Sequence, residues 1–462
     1  MPTVAGLAGP TVAAASAPGT ITPAEVAPVM RRLTVFTLAA AVMLAACTSP
    51  FASPKPEIKI GNDVVVGVPL ASSGDQAQEG LLTRQGYDLW ADWANRDGGI
   101  LVQGVKHRVR LVYEDDASRP DLSAQAAEKL ITTEKAAFLL GPYGTTNTAA
   151  VAAVADRHHV PLIAANGAAR QLFMQGWRYL FGVIASADQY PEAVIHMALG
   201  LNPKPTTMAI LSADDAASLA IAKGAVDYGA SQGIKVVYFK QYKSGTINLY
   251  DLVQQAKDRN PDIFVNSGHL LEAIAAHKAA KDLRLDARMF AYAIGPAQPE
   301  FVQTLGTAAD YVVTAAPWTP QARYTASYYL SGPQYVAAYR KKYSTKLEPT
   351  YLSAAATASG VVLQLAMEHA GSLDPDRIRG ALVALDTTTF FGRVKFDSAG
   401  QNSYKNVLVE QIQSGQIQTV WPPEVAATTP QYPTPTWTAR FGLPPQPPKA
   451  KLPGTGMPPS NS

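Results

Sequence analysis

Two glycine-bearing loops carry the residues best suited to chemistry in this chain. The first, Gly141-Pro142-Tyr143-Gly144-Thr145-Thr146-Asn147-Thr148, leads from an apolar run into an alanine-rich segment. Glycine lets the backbone approach a bound group, threonine hydroxyls donate hydrogen bonds, and the free N–H groups and dipole of a helix start favour an anion. A carboxylate suits that loop. Thr145 or Thr146 can equally serve as a simple helix cap, and the loop lacks the Gly-Lys-Ser/Thr of a phosphate-binding P-loop. The second loop, Ala165-Asn166-Gly167-Ala168-Ala169-Arg170, repeats the logic, with a tight Asn-Gly turn as its plain alternative.

Catalytic constellations are sparse. His158 and His159 are adjacent, so their side chains diverge and cannot share a metal as residues three or four apart on a helix do. Asp115 and Asp116 are also adjacent and read as caps or ion-pair partners rather than as an acid/base pair. There is no Gly-x-Ser-x-Gly elbow. Neither an enzyme nor a metal nor a cofactor is expected.

The only cysteine, Cys47, closes Leu44-Ala45-Ala46-Cys47 after the basic pair Arg31-Arg32 and the apolar run 33–43. This is the order of a secretory signal peptide. The run is too short to span a bilayer, which takes roughly 20 apolar residues. Leu-Ala-Ala-Cys resembles the bacterial lipobox instead. That resemblance implies that residues 1–46 are a signal region, that Cys47 is acylated, and that the mature chain stays tethered to a bacterial membrane on its periplasmic or outer side. The Ala/Pro/Thr-rich residues 1–29 precede the basic pair awkwardly, and Met30 is the expected true start.

About 415 residues follow the signal, ample for two lobes with real cores. A formal charge of +3 argues against a nucleic-acid partner, which calls for a basic stripe or domain. After Cys47 no apolar stretch approaches membrane-spanning length, and one cysteine allows no internal disulfide. From Trp421 onward proline is dense, so residues 421–462 are expected to form an extended, largely disordered tail, with Trp421, Trp437 or Phe441 able to pack on the last lobe.

These loops must be positioned by the elements around them. Strand-length apolar runs recur at 64–68, 109–113, 137–140, 160–164, 208–211, 236–239, 263–265, 289–292 and 311–313. Between most of them lie stretches of helical period, such as 78–95, 121–132, 146–157, 216–232 and 272–283. That alternation predicts an α/β fold of parallel sheets covered by helices on both faces, in two groups separated around residues 181–190. Further helices are expected at 333–343, 351–368 and 375–385, the first with Pro333 in its opening turn.

The pattern Gly67-Val68-Pro69-Leu70 with Gly74 and Gly80, then Asn95-Arg96-Asp97-Gly98-Gly99-Ile100, then Asp115-Asp116 and Pro120, resembles the opening of type I periplasmic solute-binding proteins of the branched-chain amino acid class, which serve ABC importers. The likeness continues through Leu140-Gly141, Pro161-Leu162-Ile163 and Phe391-Gly392-Arg393-Val394-Lys395-Phe396-Asp397 with Gly400, covering roughly residues 58–415. The resemblance implies two Rossmann-like lobes, 58–182 plus 317–388 and 183–316 plus 389–420, reached through the linker 48–57. Three strands would cross near Gly182, Ala316 and Thr389 and close the lobes on ligand by a hinge.

By the same resemblance Thr145 holds a ligand carboxylate, with Thr146 and Tyr143 beside it and contacts from Asn166, Gly167 and Ala168. Members that bind amino acids place an acidic residue after the strand 289–292 to pair with the ammonium, and here that place holds Ile294. A buried ammonium without a partner is costly. Either Asp188 takes that role, or Tyr143, His269, Tyr292 and Trp318 make an aromatic pocket for a hydrophobic carboxylate. The expected ligand is thus a branched-chain or hydrophobic amino acid or an aromatic acid. The expected partner is an ABC permease and ATPase, with the chain acting as a monomer. The alternative is a sensor of the same fold that signals through a receptor.

Overall fold

The structure, a computed structural model, describes residues 59–404 and 407–444. The signal region, Cys47 and the linker 48–57 lie outside the described residues.

In the first lobe β1 (Val64–Leu70), α1 (Ala77–Asn95), β2 (Val109–Asp115), α2 (Pro120–Thr132), β3 (Phe138–Leu140), α3 (Thr145–Arg157), β4 (Leu162–Ala164) and β5 (Leu180–Gly182) follow one another. Their sheet runs β2-β1-β3-β4-β5, with every pair parallel. Val66, Val68, Leu139 and Ile163 are fully buried, as strands covered on both faces require.

The chain then builds the second lobe from α4 (Tyr190–Leu199), β6 (Thr207–Ala213), α5 (Ala216–Ser231), β7 (Lys235–Tyr242) and α6 (Tyr250–Lys257). It continues through β8 (Ile263–Ser267), α7 (Leu270–Leu283), β9 (Met289–Tyr292), α8 (Pro299–Leu305) and β10 (Val313–Ala316). These strands are ordered β7-β6-β8-β9-β10 and are parallel throughout. The strand expected at 311–313 begins instead at Val313, because Tyr311 has φ of +73°, a left-handed turn that cannot extend a strand.

After Ala316 the chain returns to the first lobe as α9 (Gly332–Lys342), α10 (Tyr351–Ala370) and α11 (Pro375–Ala384). Pro333 lies in the first turn of α9, and the Ser331 N–H donates to Gln334 Oε1 at 3.0 Å to close the cap. Helix α10 is buried from Tyr351 to Met367, as a helix apolar on every side must be. It packs on α1 at glycines. A Cβ on Gly86 would stand 2.1 Å from the Ser353 carbonyl oxygen, and one on Gly360 would stand 2.1 Å from the Trp90 ring.

A hairpin of β11 (Asp386–Thr389) and β12 (Gly392–Lys395) precedes β13 (Leu408–Gln413) and β14 (Gln416–Trp421), which extend the second sheet, β13 antiparallel to β10 and β14 antiparallel to β13. The crossing expected near Thr389 therefore falls later. Phe396 packs edge-on to Phe181 at 5.1 Å, the Gly182 N–H donates to Gly400 O at 2.8 Å and the Asn402 N–H donates to Gly182 O at 3.0 Å, so the chain stays against β5 through Asn402.

The proline-rich segment also differs from an extended tail as far as Pro444. Its prolines set turns that deliver α12 (Trp437–Phe441), capped by Thr436, onto the second lobe. Trp437 is 1% exposed, its Nε1–H donates to Leu285 O at 2.8 Å, and its ring lies 5.3 Å from His277 and 5.7 Å from Phe290.

Candidate functional site

Both loops singled out from the sequence sit at the carboxyl ends of first-lobe strands, where parallel sheets bind ligands. They are joined to each other. Tyr143 and Asn166 form a parallel β-bridge, and Thr145 Oγ1 accepts from the Ala168 and Ala169 N–H groups at 3.2 and 3.1 Å. With both acceptor positions taken, the remaining group on Thr145 is its hydroxyl hydrogen. Gly167 keeps the second loop close to α3, since a Cβ there would stand 2.8 Å from Thr148 Oγ1.

Facing these loops from the second lobe are the starts of α5 and α7. Asp215 caps α5, accepting from the Ala217 and Ser218 N–H groups at 3.0 and 3.1 Å. His269 occupies the cap position of α7, with Nδ1 2.7 Å from Tyr143 Oη and Nε2 3.2 Å from Asp215 Oδ2. The chain Tyr143, His269, Asp215 thus spans both lobes.

Burial pulls the His269 pKa down, but the Asp215 carboxylate, with Glu272 and Glu79 nearby, outweighs it and pushes the ring up to about 9. Burial acts on Asp215 in the upward sense and is overcome by His269, which holds the carboxyl well below its usual range. Glu79, 1% exposed, is raised by burial, and its Oε1 lies 3.4 Å from both the Leu270 N–H nitrogen and Gln298 Nε2. The pairing thus favours the imidazolium form of His269.

Around this bridge the two lobes leave a small, largely closed cavity of about 20 Å³. Tyr143, Gly144, Asn166 and Ala168 form one side, and His269, Ala217, Ile221 and Ile294 the other. Ile184, Ala187 and Tyr190 close it from the first crossing, and Tyr351 and Leu352 from the start of α10. Asn166 donates through Nδ2 to Thr83 Oγ1 and Leu352 O, at 3.0 and 3.3 Å, while its Oδ1 has no partner among the described residues. The Tyr190 hydroxyl is likewise buried and unpartnered there. Buried polar groups are ordinarily paired, so the acceptor on Asn166 and the hydroxyl on Tyr190 stand out at this cavity.

Of the residues expected at the site, Tyr143, Asn166, Ala168, His269 and Ile294 line this cavity. Thr145 acts from behind it, through the second loop. Thr146 points to solvent. Asp188 lies apart, accepting from Arg170 Nη2 at 2.9 Å and from Ser186 in a separate surface concavity, because its side chain follows the short turn before α4 outward. Tyr292 is in the second-lobe core, its hydroxyl 2.9 Å from His277 Nδ1. Trp318 donates from Nε1 to Phe390 O at 3.0 Å and lines a different cavity.

Sequence reasoning misses Tyr190, Ile221, Tyr351 and Asp215. Asp215 had a signal, since an acidic residue before an alanine-rich run is a helix start. The two tyrosines had none, because each reaches the cavity only through the packing of the two lobes.

Two α/β lobes of parallel strands face each other across a small, largely closed gap between the strand ends, the architecture of a two-lobed binding protein. Residues 63–416 match the periplasmic binding protein family, and the chain belongs to it. It is 22% identical over 415 residues to the Leu/Ile/Val-binding protein homolog 8 of Brucella suis biovar 1 (strain 1330), spanning 86% of this chain and 98% of the relative. Among solved structures it resembles the branched-chain amino acid transporter substrate-binding protein LivJ from Streptococcus pneumoniae in complex with isoleucine, at 21% identity and a TM-score of 0.68, covering 78% of this chain and 100% of that one. It also resembles an ABC transporter solute-binding protein from R. palustris in complex with benzoate, at 17% identity and a TM-score of 0.66, covering 81% and 97%. Among the described residues no helix is long and apolar enough to cross a membrane.

Proposed function

We propose that the chain is the extracytoplasmic substrate-binding protein of an ABC importer, lipid-anchored through Cys47, whose lobes close by a hinge on a small hydrophobic carboxylate. The observation that carries this reading is the composition of the interlobe cavity. Among the described residues its lining has one cationic side chain, His269, one free hydroxyl donor at Tyr190 Oη, an acceptor at Asn166 Oδ1 that a carboxylate does not use, and otherwise apolar walls including Ile184, Ile221, Ile294 and Leu352. Among the described residues no carboxylate lines it. Asp215 is reached only through His269, which already neutralises it.

An anion gains from the imidazolium and from the Tyr143 hydroxyl. A ligand ammonium finds only hydroxyl and amide oxygens, which favours an aromatic or aliphatic acid over a zwitterion. Relatives and structural neighbours whose names or complexes point to branched-chain amino acids and to benzoate support the ligand size.

A thermal-shift screen with benzoate and related acids against leucine and isoleucine tests the reading. A ligand at about 100 times its dissociation constant adds about 2.7 kcal/mol of stability. Acids lacking the ammonium should raise the melting temperature, and a response confined to amino acids would reject the preference.

A further inference from the structure

A second cavity, of about 620 Å³, lies between the lobes and shares only Tyr351 with the first. That volume falls within the range of small-molecule sites. Trp318, Val336 and Tyr351 come from the first lobe, and Val302, Ile417 and Glu410 from the second. Glu410, on β13, is 5% exposed, lines the cavity, and makes no hydrogen bond or ion pair among the described residues. The Thr350 hydroxyl, in the same wall, is also buried without a partner among the described residues.

An unpaired buried carboxyl is a costly feature in a core strand. The charged and titratable groups around it do not explain it. Arg340, from α9, pairs with Glu348. Arg323 donates to Pro320 O and Ala322 O at 3.1 and 3.2 Å. Lys346 is exposed, and Tyr351 from α10 is a phenol. The strand neighbours of Glu410 are Thr314 and Thr419, which carry no charge. Burial alone acts on Glu410, pushing its pKa up to about 8.

We propose that this cavity binds an organic ammonium group, which Glu410 holds between the Trp318 and Tyr351 rings. A cation supplies the charge partner that the carboxyl lacks, and aromatic faces attract cations. This site does not depend on the ligand of the first cavity.

The probe is benzylammonium chloride, titrated calorimetrically into the purified full chain at pH 6.5 and 8.5, with benzyl alcohol as its uncharged counterpart. Because Glu410 must be ionised to pair, affinity should rise more than about tenfold from pH 6.5 to 8.5. Glu410→Gln should weaken binding at pH 8.5 by about tenfold or more and flatten the pH dependence, while benzyl alcohol binds at least about tenfold more weakly. Should Glu410→Gln fail to fold, Ile417→Trp fills the cavity from the opposite wall and should abolish binding. The proposal is overturned by undiminished binding in Glu410→Gln, by equal affinity for the alcohol, or by no heat at millimolar amine. Binding lost in Asn166→Ala but kept in Glu410→Gln would assign the amine to the first cavity and overturn it too.

Discussion

The Tyr143 hydroxyl of the first lobe and His269 Nδ1 of the second stand 2.7 Å apart, in a setting where both residues are almost completely buried. Their rings meet edge-on with centroids 5.6 Å apart. The contact joins the two lobes directly, so a change at His269 acts on how they hold together.

The direction with pH follows from the His269 pKa. An imidazole free in water titrates near 6.5, and in the closed protein the ring is pushed up to about 9. A raised pKa stabilises fully below about pH 6.5 and loses that contribution as pH rises through about 9, by an amount on the order of a few kcal/mol. Chemical denaturation between pH 6 and 10 should show stability falling at the alkaline end. In His269→Gln that fall should be absent.

On the proposed reading, Ile294 sets the charge preference of the ligand. Ile294→Glu places a carboxylate in the cavity wall beside His269, so leucine binding should gain about tenfold or more and benzoate should lose as much. Calorimetric titration of the variant with both compounds checks this.

Thr145 acts through the second loop. Thr145→Ala leaves the buried Ala168 and Ala169 N–H groups without their acceptor, a cost of about 1 to 3 kcal/mol in stability, and ligand affinity should fall with it. Thr145→Ser retains the acceptor and should recover most of the loss, read from urea unfolding and from ligand titration.

Trp437 belongs to the second-lobe core. Trp437→Ala should destabilise by about 3 to 5 kcal/mol, as other large-to-small aromatic changes in cores do. A variant that unfolds at the urea midpoint of the unaltered chain would return this segment to the status of a dispensable tail.

The framework of the fold is legible from local pattern because both sheets are buried on two faces, so β1, β4 and β8 read as short apolar runs between helical segments. The two cavity loops are legible for a related reason: glycine, asparagine and threonine at a strand end mark a place where backbone meets something other than backbone. What stays hidden depends on distance. Tyr190 and Tyr351 lie 161 positions apart in the numbering yet wall the same cavity. Asp188 and Trp318 have suitable chemistry, and only the packing of the lobes shows that they face elsewhere. The ordered stretch through Trp437 is missed because proline density reports local stiffness and says nothing of what an aromatic side chain finds at long range.

The central claim, that the cavity between Tyr143 and His269 captures a hydrophobic carboxylate, is tested most directly by calorimetric titration of benzoate into the unaltered protein and into Tyr190→Phe. The account predicts binding to the unaltered chain and a loss of about fivefold or more in the variant, where the free hydroxyl donor of the cavity is gone. Equal benzoate binding by the two proteins would contradict it.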